Sequence, residues 1–582
     1  MKLTAEAIKK YAKELGAQVV GIGEVYEEAD PQRDPRSILP TAESVIGFGF
    51  AVPKGLYRAM EHGNQYYSYT TLGVKYIDEE MAEIFLFKMG ALIEDCGYDA
   101  CLQKSVPNLR IKGDKETNPE VAGTYELVHA EAVAPGKPVP DVIIDFGKAA
   151  EACGIGSRAL NGKIINEKYG PFMRYCFIIT DAPLEKDPPV TEPLCDGCMA
   201  CAAACTGNAI SEKGLDTHAC HTHYRNADHA DPRLKDLPNT MWGYQPCLCG
   251  RPCDVACWQH LLKRSVEKIA RENQADIVGI AHADRFPKDD PIFRIMPEVR
   301  SVIGLGFQVL RGVYRGVKEG TTYYQYTTMG VENMEETVMP MASIKVAVYL
   351  EEHGYLGLPQ RRHETIMAEE DGMNPEVAYD EIFRGRTEEV QMDFLKAAVI
   401  TGLGEEGFHH ALLTDAYGPF VRYCFVLTDA LLPETEKKPA HLCDHCMACR
   451  EACPGRAIDE DGSVDGWQCA VYYNGANGTK NPFMPPDAFP DFEDRLAIIA
   501  GEKKVDPESA RKILRDIWFY PPAQHSFRCS ICGRACDMAC YQHLEEKGLL
   551  AQRYKTPFHQ REDWHFSVDD FKETTDDKGE VE

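Results

Sequence analysis

The sequence lacks several features that would each indicate a particular class of protein. No stretch approaches the roughly 18 consecutive apolar residues that a membrane-spanning helix needs. The opening residues, MKLTAEAIKKYAKELG, contain neither an apolar signal-peptide core nor a twin-arginine motif. Basic residues are also scarce, because 63 Lys and Arg stand against 91 Asp and Glu, for a net charge of −28. These absences predict a cytoplasmic protein whose partners include neither nucleic acid nor a membrane.

Three common cofactor motifs are missing as well. The chain has no G-x-G-x-x-G after a strand, no P-loop and no C-x-x-C-H for heme attachment. What it has in excess is cysteine, with 23 residues. A reducing cytoplasm does not maintain a disulfide framework. These cysteines are therefore metal ligands, catalytic thiols or buried fillers, and their spacing decides between the three.

The second half of the chain repeats the first. The string SVIGFGFAVPKGLYRAMEHG from Ser44 returns as SVIGLGFQVLRGVYRGVKEG from Ser301. Likewise, YGPFMRYCFIITDA from Tyr169 returns as YGPFVRYCFVLTDA from Tyr417. A repeat of about 260 residues is the duplication of a whole domain. Each copy alternates helices with short apolar strands, which predicts an α/β (α+β) fold, with a long helix at about 74–96 and again at about 331–353.

We therefore predict two tandem modules, each an α/β core followed by a cysteine-rich lobe. The expected segments are a first core at 1–185, a first lobe at 186–260, a second core at 261–433, a second lobe at 434–545 with an insertion at 474–524, and a polar acidic tail at 546–582.

The cysteine spacing is that of bacterial ferredoxins. Each copy contains C-x2-C-x2-C-x3-C, in which three thiolates bind one [4Fe–4S] cluster and the fourth binds a second cluster. Structural zinc normally uses two separated C-x-x-C pairs and is the weaker interpretation. The crossed ferredoxin arrangement predicts four ligand sets: Cys195, Cys198, Cys201 and Cys257; Cys205, Cys220, Cys249 and Cys253; Cys443, Cys446, Cys449 and Cys540; and Cys453, Cys469, Cys532 and Cys536.

Seven cysteines remain outside these sets. Cys247 and Cys529 are interpreted as spare thiols, although either could replace a neighbouring ligand. Five more lie in apolar surroundings and are expected to be buried fillers: Cys96, Cys101, Cys153, Cys176 and Cys424. Four clusters indicate one-electron transfer, and such clusters normally pass their electrons to a catalytic cofactor. That cofactor would lie in the cores that precede the cysteines.

The order of motifs resembles a known family. A Gly turn (Cys153-GIG, Thr401-GLG) precedes the string GP-x-x-R-x5-TD-x-x-L and then the cysteines. This order is similar to that of the corrinoid-dependent reductases, namely the reductive dehalogenases and epoxyqueuosine reductase. The resemblance implies a nitroreductase-like corrinoid-binding core, a ferredoxin-like lobe with two [4Fe–4S] clusters in each module, and cobalamin as cofactor.

The chain departs from the pattern of that family in three ways. Two modules occur where the known enzymes have one. The last cysteine run is C-x3-C-x3-C instead of C-x2-C-x3-C, and Thr206 replaces the usual Pro, which Pro454 keeps in the second copy.

The resemblance also suggests site residues. Arg174 and Arg422 match the arginine of the family string and are candidates for catalysis and for binding a cofactor or substrate anion, with a surface arginine as the alternative. Tyr125 and Tyr379 are candidate proton donors. Further candidates for the cofactor pocket are Tyr69, Tyr169, Tyr326 and Tyr417, of which Tyr69 and Tyr326 suit aromatic packing at a helix start better than a cofactor role. Asp145 and Asp393 are weaker candidate acids, and His409 and His410 are expected to be ordinary polar residues.

The expected function is that of an anaerobic reductase. Electrons from a donor such as ferredoxin or flavodoxin would pass through four clusters to cobalamin, which would reduce a small organic substrate. The alternative is a four-cluster electron-transfer or corrinoid-handling protein with no substrate chemistry of its own.

Overall fold

The computed structural model divides the chain into two compact units, Met1–Leu262 and Lys263–Glu582. It describes residues 3–105, 142–224, 247–361, 390–437, 439–517, 530–558, 560–561 and 564–572, with short pieces at 110–111, 127–128 and 134–135. Within these ranges, no helix has the length and apolar character needed to cross a bilayer.

The first unit is built on an antiparallel sheet of four strands. Their order across the sheet is Val19–Glu24, Ser44–Ala51, Met173–Thr180 and Ala100–Gln103. The two central strands pair from Ser44↔Thr180 to Ala51↔Met173 and are almost wholly buried. Strands buried on both faces read as continuous apolar runs, which explains SVIGFGFA.

Helices cover both faces of this sheet. The helix Ala82–Glu94 places Phe85 against Phe48, with ring centroids 4.8 Å apart. On the opposite face, Phe146 of the helix Phe146–Ala152 packs on Phe177 at 4.8 Å. The remaining helices of this unit are Ala5–Glu14, Pro35–Ile38, Lys54–Glu61, Ala200–Ala204, Thr217–Tyr224 and Pro252–Glu272, the last of which continues past Leu262. Short strand pairs are Arg110–Ile111 with Leu127–Val128, Ser157–Arg158 with Ile164–Ile165, and Ile210–Ser211 with Gly214–Leu215.

The second unit contains a sheet of the same order. Its strands are Ile277–His282, Ser301–Gln308, Val421–Thr428 and Gly357–Gln360. Its helices are Ile292–Ile295, Arg311–Lys318, Met339–Glu352, Phe394–Thr401, Ala448–Glu451, Gly466–Tyr473, Arg495–Ile499, Pro507–Asp516 and Ala535–Glu546. Short 3-10 helices span Ala283–Arg285, Gly478–Lys480 and Val568–Phe571, and Glu405–Glu406 pairs with Leu412–Leu413.

Glycine allows a close approach at the same point of both sheets. A Cβ at Gly21 would lie 2.0 Å from the carbonyl oxygen of Cys153, and one at Gly279 would lie 2.4 Å from that of Thr401. The C-terminal ends of the helices Phe146–Ala152 and Phe394–Thr401 therefore rest directly on the backbone of the first strand of their unit. Only glycine permits this approach.

The long helix after the second strand differs from its prediction. It begins earlier than residue 74, and its first part, Tyr69–Met81, is a π-helix that continues as the α-helix Ala82–Glu94. The second unit has π-helical segments at Tyr326–Glu332 and Met334–Val338 before the α-helix Met339–Glu352. The predicted ends near Gly97 and Gly354 are confirmed, since both residues have positive φ, +88° and +80°.

The segments predicted as an insertion and a polar tail contribute buried side chains to the second unit. Residues of the insertion form a core with Phe571, which includes Trp467, Ile498 and Ile513. Phe558 packs on Phe420 and Tyr541, with ring centroids 5.5 and 5.2 Å away, and is 1% exposed. The structure thus shows that part of the C-terminal segment is packed against the second unit.

We expect Phe558→Ala to destabilise the second unit by about 3–5 kcal/mol, the range for a buried aromatic that leaves a cavity. Because the two units need not unfold together, calorimetry should show one transition moving to lower temperature and the other staying in place. Phe87→Ala is the matched control, since Phe87 is 72% exposed. Equal shifts in both variants would contradict the packing described.

Candidate functional site

The first predicted ligand set of the first unit surrounds one small cavity. Cys195, Cys198, Cys201 and Cys257 all line it. Met199, at φ +60°, turns the chain between the second and third of these cysteines just before the short helix Ala200–Ala204. Cys257 comes from the separate helix Pro252–Glu272. Four thiols from two segments thus converge on one point, as a cubane cluster requires.

The second ligand set of this unit lines a neighbouring cavity. Its cysteines are Cys205, Cys220, Cys249 and Cys253. The amide N–H of Ala209 donates to Cys205 Sγ at 3.4 Å, and such donors stabilise the charge on a thiolate. Both sets are therefore grouped as the crossed spacing predicts, although ligation of iron stays a prediction.

The second unit repeats the first arrangement. Cys443, Cys446, Cys449 and Cys540 line one cavity. The amide N–H of Phe408 donates to Cys443 Sγ at 3.4 Å.

In both units a histidine one turn beyond the last cysteine bonds to an aspartate at the start of the motif. The distances are 3.0 Å for His260 Nε2 to Asp196 Oδ2 and 2.9 Å for His543 Nε2 to Asp444 Oδ2. These bonds tie the loop carrying three cysteines to the helix carrying the fourth.

The remaining set consists of Cys453, Cys469, Cys532 and Cys536. Burial, followed by the neighbouring Cys469, raises the pKa of the Cys532 thiol to about 12. Burial raises the pKa of Cys469 as well, with Cys453 among its charged neighbours. Cys469 and Cys532 are therefore protonated at neutral pH when no metal is bound, so binding iron at these thiols must release protons.

Cys247 and Ser530 occupy the same position in the two units. Cys247 is fully buried, and its Sγ lies 4.0 Å from Cys249 Sγ. In the second unit Ser530 Oγ lies 4.0 Å from Cys532 Sγ. Because a hydroxyl occupies this position in the second unit, we interpret the thiol of Cys247 as a hydrogen-bond donor to Cys249. This hydrogen bond lowers the pKa of Cys249. Cys529 lies outside the described residues.

The predicted filler cysteines occupy apolar surroundings to different degrees. Three are fully buried, and two are partly buried: Cys153, Cys176 and Cys424 in the first group, Cys96 and Cys101 in the second.

A buried ion pair adjoins the second thiol set of each unit. Arg251 binds Asp254 through two bonds of 2.9 and 3.0 Å, and Arg534 binds Asp537 through bonds of 2.8 and 3.1 Å. Burial alone would raise the pKa of Asp254, but Arg251, with Lys163 and a hydrogen bond from Tyr57, more than offsets this and holds the pKa below its usual value. Both aspartates directly follow a cysteine of the set, and Cys253 Sγ lies 3.8 Å from Asp254 Oδ1.

The units differ in the third partner of this ion pair. Asn161 Nδ2 donates to Asp254 at 3.1 Å, and Lys163 Nζ lies 3.9 Å from the same carboxylate. In the second unit His409 Nε2 lies 3.0 Å from Asp537 Oδ1. His409 is therefore buried beside Cys536, which the sequence interpretation as an ordinary polar residue missed, whereas His410 lies at the surface with Glu406.

The candidate arginines each bind a carboxylate of the π-helix. Arg174 contacts Asp78 through two of its nitrogens, with Nε 2.9 Å from Oδ1. Arg422 lies 3.3 Å from Glu335 and donates at 3.1 Å to the hydroxyl of Tyr326. The alternative of a surface arginine does not describe either residue, since each side chain is about a fifth exposed, at 20% and 22%.

The π-helix explains how the tyrosine and the carboxylate reach the same arginine. Tyr69 and Asp78 are nine positions apart, as are Tyr326 and Glu335. An α-helix of 3.6 residues per turn would put such a pair on opposite sides. With i→i+5 bonding and about 4.4 residues per turn, nine positions make about two turns and return to the same side.

The other predicted tyrosines lie elsewhere. Tyr169 is partly buried against the core and lies under Lys168, whose Nζ is 5.5 Å from the ring centroid. Burial, followed by Asp276, raises the pKa of Tyr417. Within the described residues, neither tyrosine is hydrogen-bonded to Arg174 or Arg422, and Tyr125 and Tyr379 lie outside those residues.

Asp145 and Asp393 act as helix N-caps. Asp145 accepts from the amides of Gly147 and Lys148, and Asp393 accepts from that of Lys396. Both thereby satisfy amides that a helix start leaves unpaired.

The first unit also holds a larger cavity of about 330 Å³. Its walls carry four cationic side chains, namely Arg33, Arg158, Lys163 and Arg174, together with Asp145 and Tyr175. Of these, the sequence had indicated only Arg174 and Asp145, because the others come from segments with no cofactor motif. The loop between Arg158 and Ile164 separates the two cavities: Lys163 lines this one, and Asn161 lines that of the second thiol set.

No family model matches the chain. It is 31% identical over 121 residues to an epoxyqueuosine reductase of Listeria monocytogenes, which is 19% of this chain and 32% of that protein. It is 29% identical over 128 residues to a tetrachloroethene reductive dehalogenase of Desulfitobacterium hafniense, 20% of this chain and 22% of that protein. The resemblance expected from the motifs is thus confirmed, over a third or less of each relative's length.

Two solved structures are also similar, with low scores. A catabolic reductive dehalogenase gives a TM-score of 0.27 at 13% identity, covering 93% of this chain and 75% of that one. An epoxyqueuosine reductase crystallised with a tRNA stem loop gives 0.25 at 13% identity, covering 60% of this chain and 98% of that one.

We expect Asp78→Asn to destabilise the first unit by about 2–3 kcal/mol, somewhat less than for a fully buried pair, because Arg174 keeps part of its exposure. Asp78→Glu should cost much less, since Glu335 performs this role in the second unit at 3.3 Å. Chemical unfolding of both variants measures the difference. If the two lost stability equally, pairing with Arg174 would not be what Asp78 contributes.

Proposed function

We propose that this chain is an iron–sulfur oxidoreductase that passes electrons through two [4Fe–4S] clusters in each unit. The observation that carries this proposal is the arrangement around the loop 159–163 of the first unit. On one side of this loop lies the second thiol set, and on the other lies the cationic cavity. A cluster held by Cys205, Cys220, Cys249 and Cys253 would therefore adjoin a ligand in that cavity.

The exposure of the thiols supports one direction of electron transfer. Cys198 and Cys446, in the first set of each unit, are exposed, whereas the second sets contain no fully exposed thiol. Electrons from a soluble donor would therefore enter at the first cluster and continue to the second. In the first unit the next acceptor would be whatever occupies the cavity.

Similarity to epoxyqueuosine reductases and reductive dehalogenases supports a reductase whose cofactor is a corrinoid. The donors of the cavity fit part of such a group, because the peripheral amides and the phosphate of a cobalamin are acceptors. Arg158, Lys163 and the hydroxyl of Tyr175 would face them. A bound corrinoid would supply a cobalt centre that accepts electrons one at a time.

The residues of this chain would hold and polarise the ligand. Arg174, fixed by Asp78, presents its guanidinium to the cavity. The Arg251–Asp254 pair keeps a fixed dipole next to Cys253, and groups in this position tune the potential of a neighbouring metal centre. The substrate is proposed only as a small organic molecule with a reducible bond.

Metal content tests the proposal. Protein purified anaerobically and supplemented with hydroxocobalamin should contain about sixteen irons per chain, four for each [4Fe–4S] cluster, together with cobalt. Elemental analysis and the visible spectrum measure both. The same iron with no uptake of cobalamin would instead favour a four-cluster electron-transfer protein, and fewer than about eight irons would refute the cluster assignment.

A pair of cysteine variants tests the ligand sets. Cys249→Ser should remove the second cluster of the first unit and lower the iron content by about four atoms per chain. Cys247→Ser should leave the iron content unchanged, because Ser530 occupies this position in the second unit. Loss of iron in Cys247→Ser but not in Cys249→Ser would show that Cys247 is the ligand.

A further inference from the structure

The two units carry opposite charges at equivalent positions. In the first, the short strand Ser157–Arg158 pairs with Ile164–Ile165, and in the second Glu405–Glu406 pairs with Leu412–Leu413. Each hairpin precedes the strand that carries the candidate arginine, which is Met173–Thr180 in the first unit and Val421–Thr428 in the second. Arg158 therefore corresponds to Glu406, and Lys163 corresponds to Ala411.

A third position also carries a cationic residue in the first unit and an acidic residue in the second. Arg33 stands before Asp34 and Pro35 in the first unit, and Asp289 stands before Asp290 and Pro291 in the second, so Arg33 corresponds to Asp289. Asp290 in turn binds Lys396 at 2.8 Å. Three cationic side chains of the first unit's cavity are thus matched by two acidic positions and an alanine in the second unit.

The carboxylates near the cavity do not remove its positive character. Among the described residues, Asp145 is the one acidic side chain on its wall, and it is shared by Arg158 and Arg33, the latter at 3.4 Å. Behind the wall, Asp30 lies 3.7 Å from Arg33, Asp78 binds Arg174, and Asp254 serves both Arg251 and Lys163. On the described part of the wall, four cationic side chains therefore stand against one carboxylate.

One buried hydroxyl on the cavity wall needs an acceptor. Tyr175 is 6% exposed, and its hydroxyl has no hydrogen-bond partner within the described parts of the chain. An unsatisfied buried polar group costs roughly 1–3 kcal/mol. Tyr175 lines the cavity, and a ligand oxygen that reached its hydroxyl would satisfy it.

We infer that the first unit binds an oxyanion, a carboxylate or phosphate group carried by a small molecule, between Arg158, Lys163 and Tyr175. The second unit does not bind it, because Glu406 and the neighbouring acidic residues repel such a group. The inference deepens the proposed function by giving the ligand a charge and assigning it to one unit. The two copies are then unequal, with one ligand site per chain.

Binding of simple probes tests this inference. With the full-length protein reconstituted anaerobically, calorimetry should detect one site per chain for benzoate or methyl phosphate. It should detect none for benzamide, which has the shape of benzoate without the charge. Affinity should fall as salt is raised. Two equivalent sites per chain, or equal affinity for benzamide, would overturn the inference.

Substitutions that install residues of the second unit locate the site. Arg158→Glu and Lys163→Ala should each weaken binding about tenfold or more, and Tyr175→Phe should do so to a smaller extent. Glu406→Gln is the matched control in the second unit and should leave binding unchanged. If Arg158→Glu failed to fold, Lys163→Ala and Tyr175→Phe would still decide, and unchanged affinity in both would exclude this site.

Iron content, measured on the same samples, separates this inference from the proposed function. Full iron without anion binding would overturn the anion site alone, whereas anion binding without iron would overturn the cluster assignment alone. Saturation with hydroxocobalamin then identifies the source of the anion. Loss of benzoate binding would assign the site to the phosphate of the cofactor, and retention would assign it to the substrate.

Discussion

The buried pair of Arg251 and Asp254 is the interaction on which the first unit's site depends. Asp254 adjoins Cys253, receives a hydrogen bond from Asn161 and lies 3.5 Å from the hydroxyl of Tyr57. It therefore connects the thiols, the loop beside the cavity and the aromatic residues next to the π-helix. A buried, charged Asp254 without Arg251 would be strongly destabilising. All of these contacts of Asp254 therefore depend on the ion pair.

The same pair is present in the second unit with different surroundings. Arg534 and Asp537 keep their geometry, but His409 replaces Asn161 and no lysine occupies the place of Lys163. The part of the site that would hold clusters is thus nearly identical in both units, while the part facing a ligand has diverged. Under the proposed anion site, one unit would bind the ligand while the other carries the opposite charge at the equivalent positions.

Three of the four predicted cysteine sets each line one cavity, because spacing in a short loop restricts which thiols can meet. Their role as cluster ligands stays a prediction. The sequence also indicated Arg174 and Arg422 through one string. It did not predict Asp78 and Glu335 as their partners, since an α-helical period places these residues away from Tyr69 and Tyr326. Nor did it predict Arg33 or Tyr175 in the cavity, because their proximity depends on how the sheet and its flanking loops pack.

The packed C-terminal segment has a consequence for biosynthesis. Phe558 completes an aromatic group with Phe420, more than 130 residues earlier in the chain, and Trp564 packs on Tyr323, more than 240 residues earlier. During translation the first unit can fold as soon as its own residues have emerged from the ribosome. The second unit must wait with part of its core uncovered, so it is the half that would need protection from aggregation and from premature metal binding.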